Sequence, residues 1–324
     1  MKGGKMTAVI VGGAMVFSLA GCGGSNAQQG SGVQHGTANV VYAGSLEFVN
    51  NEQVGPAFEK ATHFRYQGQG GGSFGMAQEI KSKTLAPNVF ESIGYAPIQV
   101  IEPRDTKWAI AFAASPLVVA YSPTSHYASE LNAIRDKRLP LRDLFTLMAT
   151  PGFHLGRTNP NTDPQGQAFY MMVELAVKHY NLPAGTVGKI LGTLNNAKEV
   201  YSEEGILTLL QSGGLDASSA FLSEALERHL DYITLPSWMN FASPKESLVY
   251  RSASLTLSDG KTISGKPLTV DITTVGTPEQ ASVGFIKFLL GAQGSTIMRN
   301  AGYQVFSPEV FGSMADVPSA LKHS

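Results

Sequence analysis

Twice near its start the chain runs from a short apolar segment through a glycine-serine turn into a helical pattern. This repetition constrains the fold more than any other feature. Residues 39–43 (NVVYA) lead through Gly44 and Ser45 into a segment where Leu46, Phe48, Val49, Val54 and Phe58 keep a loosely helical spacing. Residues 64–67 (FRYQ) lead through the glycine-rich stretch 68–72 into Ser73 and a helical segment over 74–83. Residues 88–93 (NVFESI) read as a third strand. Strands alternating with helices predict an α/β fold resting on parallel strands.

Further along, residues 108–121 form a long apolar run, broken at Ser115-Pro116 and closed by Ser122-Pro123, which suits a strand crossing between two bodies. A second α/β body is expected beyond it. It comprises a helix over 141–148, a small strand at 155–156, a strong helix over 168–180, helices over 203–211 and 219–229, and a strand over 232–235. Residues 248–274 then return as β-branched strands around the turn Ser258-Asp259-Gly260. A last helix starts with Thr277 as cap, Pro278 in the first position and Gln280 in the third, and stops at Gly291. The expected organisation is one lobe from 39–122 and 245–324 and a second lobe from 123–244.

The N-terminus points outside the cytoplasm. Lys2 and Lys5 precede an apolar stretch over 6–20, the plan of a secretory signal spanning residues 1–21. Ala20-Gly21 ahead of Cys22, the one cysteine, resembles a bacterial lipobox and implies cleavage before Cys22 and a lipid on its sulfur. Residues 22–38 are almost devoid of apolar side chains and read as a flexible tether. A lipid-anchored body at the outer face of a membrane has no access to cytoplasmic ATP or NAD. One cysteine and seven scattered histidines with no His-Glu-x-x-His spacing argue against a disulfide and a catalytic zinc. A formal net charge of -1 over 324 residues argues against a nucleic-acid partner.

The chemistry resides in what precedes four helical segments: Ser45 after Ala43-Gly44, Ser73 after Gly70-Gly71-Gly72, Asp163-Pro164-Gln165-Gly166, and Ser202-Glu203. A helix start carries unpaired N–H groups and a partial positive charge, so several meeting at one place bind an anion without Lys or Arg. In an open α/β sheet such turns lie at the carboxyl ends of the strands, where ligands bind. Taken singly, each is also an ordinary helix cap.

Residues 41–46 (VYAGSL), 158–166 (TNPNTDPQG) and 211–236, from QSGGLD to YITLP, resemble the tungstate/molybdate-binding proteins of ABC importers, in particular the archaeal-type tungstate binders. The similarity runs over most of 39–310. It implies a type II periplasmic-binding-protein fold, two α/β lobes joined by two crossover strands with the ligand in the cleft. It further implies a monomer without a cofactor that delivers its oxyanion to an ABC permease. On this resemblance Ser45 and Ser73 match the oxyanion-binding serines, and Asp163 and Glu203 match carboxylates that coordinate the tungsten or molybdenum itself. Two carboxylates facing an anion make sense only as ligands to its hard metal centre, raising it from four oxygens to six. The family's cleft tyrosine falls on Phe221, which has no hydroxyl. The resemblance leaves Gln165 and Gly166 to offer backbone N–H groups and Tyr170 a hydroxyl.

Two other readings compete. Sulfate, phosphate or a small organic acid would be held by helix starts and hydroxyls alone, with Asp163 and Glu203 turned away to cap their helices. In the other, Gly71-x-Ser73-x-Gly75 fits a nucleophile elbow and describes a lipid-anchored serine esterase.

Overall fold

A computed structural model describes residues 36–322 as two α/β bodies built on separate sheets. The expected signal, Cys22 and most of the tether lie outside the described residues. The strands in chain order are β1 (Thr37–Ala43), β2 (Arg65–Gly71), β3 (Val89–Ile93), β4 (Trp108–Ala114), β5 (Leu117–Tyr121) and β6 (Leu155–Gly156), followed by β7 (Ala217–Phe221), β8 (Asp231–Thr234), β9 (Ser254–Thr256), β10 (Thr262–Ser264), β11 (Val270–Thr274) and β12 (Gln304–Gly312). The larger sheet has the order β12-β4-β11-β3-β1-β2 and the smaller one β6-β7-β5-β8, while β9 and β10 pair as a hairpin. Among the described strands, parallel pairing joins β2-β1-β3 and β6-β7, and an isolated parallel bridge joins Arg157 and Val200. The returning strand β11 runs antiparallel to both β3 and β4, so each sheet is mixed.

The apolar run 108–121 is two strands rather than one. All seven residues of β4 and all five of β5 are buried, as expected of strands covered on both faces. Pro116 lacks an N–H and cannot continue a ladder. β5 therefore pairs in the smaller sheet, and the chain leaves the first body at Ser115-Pro116, ahead of the boundary at 122 expected from sequence.

Three other expectations are corrected. Residues 219–221 belong to β7, because Ala217–Phe221 is buried throughout and pairs along its whole length with β5, and the helix starts only at Leu222. Residues 247–250 form a helical turn, with Leu248 facing solvent, before β9 begins. The helix Gln280–Leu290 starts two residues later than its Thr277-Pro278 signal: Ser282 Oγ accepts from the Glu279 N–H at 3.0 Å and donates to the Glu279 carbonyl at 2.9 Å. Its apolar face, with Phe285 edge-on to Phe58, closes the first body.

These arrangements bring the helix starts together. After β1 the chain makes a tight turn at Gly44–Leu46, continues through a π-helical turn at Val49–Val54 and enters the helix Gly55–Thr62. After β2 comes the helix Ser73–Ser82. The second body contributes the helices Pro164–His179 and Glu203–Gln211. Among the described residues no helix is long and apolar enough to cross a membrane.

Candidate oxyanion site

The turns after β1 and β2 face the starts of the two second-body helices across a cavity of about 510 Å³, lined by Gly44, Gly70, Gly71 and Gly72 on one side and Thr158, Thr162, Asp163, Ser202 and Glu203 on the other. The segments around all four helix starts therefore border one space, with Asp163 and Glu203 in its wall, whereas Ser45, Ser73, Gln165 and Gly166 are not among its lining residues.

Ser45 is buried and its hydroxyl has no hydrogen-bond partner among the described residues. The Ser45 carbonyl is held by the buried Tyr303 hydroxyl at 2.9 Å, and the Ser45 N–H donates to the Glu203 carboxylate. Ser73 is fully buried, and its oxygen accepts from the Ile93 N–H at 3.1 Å. The next two amides, Phe74 and Gly75, donate to the Thr162 carbonyl at 3.0 and 3.3 Å, so this helix start is bound to the second body directly.

Asp163 caps its helix. Oδ1 accepts from the Gln165 N–H at 2.7 Å and the Thr158 hydroxyl at 3.2 Å, and the Gly166 N–H also donates to this carboxylate. The backbone donors of Gln165 and Gly166, expected to face the ligand, are thus taken by Asp163. Gly166 is required sterically, since a Cβ there would lie 2.5 Å from the Thr158 carbonyl. The other oxygen, Oδ2, lies toward the first body, 3.2 Å from where a Cβ on Gly72 would stand.

Glu203 is placed in the same way but caps nothing. The Ser202 hydroxyl performs the capping, accepting from the Gly205 N–H at 3.1 Å. Glu203 Oε1 accepts from the Gln165 side-chain amide at 3.1 Å, and Oε2 lies against the first turn, 2.0 Å from where a Cβ on Gly44 would be. Gly44 is the only residue type that admits this approach.

Phe221 does not line the cavity. It is buried in the main apolar core. Its N–H donates at 2.6 Å to Glu224, the carboxylate in the third position of the following helix. Tyr170 is half-buried against the same core and also lies away from the cavity wall. Sequence reasoning missed Glu224, Ser219 and the role of the Gln165 side chain. The one signal for Glu224 is its spacing from Phe221, a capping-box spacing hidden because the cap residue is Phe rather than Ser or Thr.

The family described as bacterial extracellular solute-binding protein matches residues 38–304. The chain belongs to that family. This solute-binding protein is 27% identical over 337 aligned positions, 95% of each chain, to the molybdate/tungstate-binding protein WtpA of Pyrococcus abyssi. It is 28% identical over 291 positions, 89% of this chain and 88% of the other, to a putative ABC transporter molybdenum-binding protein of Haloferax volcanii. Among solved structures, the periplasmic molybdate-binding protein of Azotobacter vinelandii superposes with a TM-score of 0.56 at 16% identity, covering 84% of this chain and all of the other. The sulfate-binding protein SubI of Mycobacterium tuberculosis superposes with a TM-score of 0.54 at 13% identity over 84% and 88%. The fold is that of the type II periplasmic binding proteins, with two lobes, and the protein acts as an extracytoplasmic solute binder rather than an enzyme. The Ser73 hydroxyl oxygen accepts from a backbone amide of the sheet.

The electrostatics of the solute-binding protein's cavity are unusual. Burial raises the Asp163 carboxyl to about 6, against the donors that stabilise its anion. Burial, followed by repulsion from Asp163 and Glu224, raises Glu203 well above the carboxylate range. Glu224 is pushed up to about 8, mainly by burial. Two desolvated carboxyls converging without a lysine or arginine bonded to either favour a proton or a Lewis-acidic centre between them. Among the described residues no group of three or more His, Cys, Asp or Glu side chains is arranged to hold a metal ion. A metal centre that already carries its own oxygens needs fewer protein ligands than a bare cation.

Proposed function

We propose that this solute-binding protein captures tungstate or molybdate between its two lobes and hands it to an ABC permease, working from a lipid anchor on Cys22. Asp163 and Glu203 would each add one oxygen to the tungsten or molybdenum. Ser45 would donate its unpartnered hydroxyl to an oxo group, with Ser73 and the turn glycines allowing close approach of the first lobe. Ligand contacts from both lobes favour the closed arrangement.

The observation that carries this reading is the division of labour within each carboxylate. One oxygen of Asp163 and one of Glu203 is held by donors of their own body, while the other is directed at a glycine turn of the opposite body. The archaeal and haloarchaeal relatives named for molybdate, tungstate or molybdenum binding support the choice of cargo. A sulfate or phosphate site accounts for Asp163, which does cap its helix, but not for Glu203, whose helix is capped by Ser202.

The test is a calorimetric titration of tungstate, molybdate, sulfate and phosphate into the wild type and Glu203→Gln. Tungstate or molybdate is expected to bind the wild type tightly and to lose ~10²-fold or more in the variant, while its ligand-free unfolding midpoint holds or rises because a buried, repelled carboxyl has been removed. Equal tungstate binding by the two proteins refutes direct coordination.

A further inference from the structure

The Gln165 side chain is enclosed at the back of the site, 1% exposed, and every polar atom it carries is engaged. Its Oε1 accepts from the Ser219 hydroxyl at 2.7 Å. Its Nε2 donates to Glu203 Oε1 at 3.1 Å and to Glu224 Oε2 at 2.9 Å, one hydrogen for each carboxyl. In this orientation the amide oxygen meets the Ser219 hydroxyl and the NH₂ offers one hydrogen to each carboxyl oxygen. Glu224 is anchored independently by the Phe221 N–H, which ties the frame to the end of β7. Through its backbone N–H the same residue holds Asp163 Oδ1. One glutamine therefore touches both carboxylates of the site and a third behind them.

We infer that Gln165, held by Ser219 and Glu224, is a positioning residue that sets the ligand selectivity of the site by occupying one oxygen of Glu203, so that this carboxylate meets an incoming oxyanion with a single oxygen. This deepens the proposed function and rests on it. A carboxylate with both oxygens open tends to chelate a bare hard cation in bidentate fashion, as in calcium sites. With Oε1 held by Gln165, Glu203 adds one bond to a metal that already carries four oxo groups, and the Ser45 N–H that also donates to this carboxylate gives way to the ligand. Glu224 acts here as a buried acceptor for Gln165 and Phe221 and touches no ligand. Ser219 sets the amide's orientation.

The experiment uses the whole chain with sodium tungstate as probe, comparing wild type, Gln165→Leu, Ser219→Ala and Glu224→Gln by calorimetry and by X-ray absorption at the tungsten edge. Gln165→Leu removes the donor while roughly keeping volume, and loss of such an outer partner is expected to weaken tungstate binding ~10- to 100-fold. At saturating tungstate the mean oxygen count around tungsten should rise by one in this variant, as the Glu203 oxygen that Gln165 released closes on the metal, which a merely loosened fold would not produce. Glu224→Gln keeps an acceptor oxygen for both donors and should bind within ~3-fold of wild type. Ser219→Ala should lie between the two, and it carries the test if Gln165→Leu does not fold. Unchanged affinity and oxygen count in Gln165→Leu, or in Ser219→Ala where that variant carries the test, overturn the inference while leaving the proposed function standing. So does a loss in Glu224→Gln as large as that in Gln165→Leu. Failure of the wild type to bind tungstate refutes the proposed function itself, and the inference falls with it.

Discussion

Gly44→Ala separates the fold from the site. Gly44 does not occupy the left-handed region, so its backbone accepts alanine. The new Cβ would stand 2.0 Å from Glu203 Oε2, 3.1 Å from its carboxyl carbon and 3.6 Å from its Cβ. Real contacts of a Cβ essentially never fall below 3.0 Å, so the carboxylate must retreat by about 1 Å while the rest of Glu203 has room. The first body loses nothing, because the obstacle is the tip of a flexible side chain from the other body. Binding loses the position of one coordinating oxygen. An overpacking cost of ~1–3 kcal/mol in the closed, liganded form corresponds to a Kd raised about 5- to 150-fold. Titration calorimetry with tungstate reads the Kd, and thermal unfolding without ligand should show little change in midpoint. The matched control is Gly75→Ala, in the helix after β2 with nothing within 4 Å of its Cβ, which should leave binding intact and stabilise by ~0.4–1 kcal/mol. Wild-type affinity in Gly44→Ala would refute the close approach of Glu203 to this turn.

Other outcomes follow from the same geometry. Burial raises Glu91 and Asp271 to about 7 and Glu224 and Glu227 to about 8, so the folded chain retains protons that the unfolded chain releases above about pH 4.5. Their stabilising contribution is complete below that pH and is lost as pH climbs through 7 and 8. The ligand-free unfolding midpoint should therefore fall between pH 5 and pH 9, and a rise would contradict these assignments. Coordination needs Asp163 and Glu203 deprotonated, so tungstate affinity should increase with pH up to about 6 as Asp163 ionises and continue to increase above it as Glu203 does, by up to ~10-fold per unit for each proton released. An oxyanion held by helix starts alone would show the opposite slope, since protonated carboxyls repel it less. Arg157 is fully buried and donates to the carbonyls of Leu191, Thr193 and Leu194 and to Glu199 Oε2 at 2.7 to 3.3 Å. Arg157→Ala leaves these acceptors unpaired beneath the Thr158 turn and should cost ~3–5 kcal/mol in chemical denaturation, with a loss below 1 kcal/mol counting against the account.

Several residues of the candidate site carry local sequence signals. The glycine-serine turns after β1 and β2, the Asp163 cap and the Ser202-Glu203 start are signals contained within a few residues, and the fold brings all four to one cavity. Capping chemistry was read less well: the same Asp163 that faces the cleft also consumes the N–H groups of Gln165 and Gly166. What escaped depends on pairing between distant segments. Residues 219–221 carry a pattern compatible with a helix, and their pairing with β5 makes them part of a strand in which Ser219 meets Gln165, 54 positions away. Phe221 was placed by spacing alone, and its ring enters the core rather than the cavity. The apolar run 108–121 reads in sequence as a crossing segment, and its division at Pro116 follows from which sheet supplies each half with hydrogen bonds.

The central claim, that Asp163 and Glu203 bind the metal of the oxyanion and not its oxygens through intervening donors, is tested most directly by X-ray absorption at the tungsten edge on the wild-type complex. Six oxygens around tungsten, reduced to five by Glu203→Gln, is the result the account predicts. Four oxygens in the wild type, unchanged by the substitution, would contradict it.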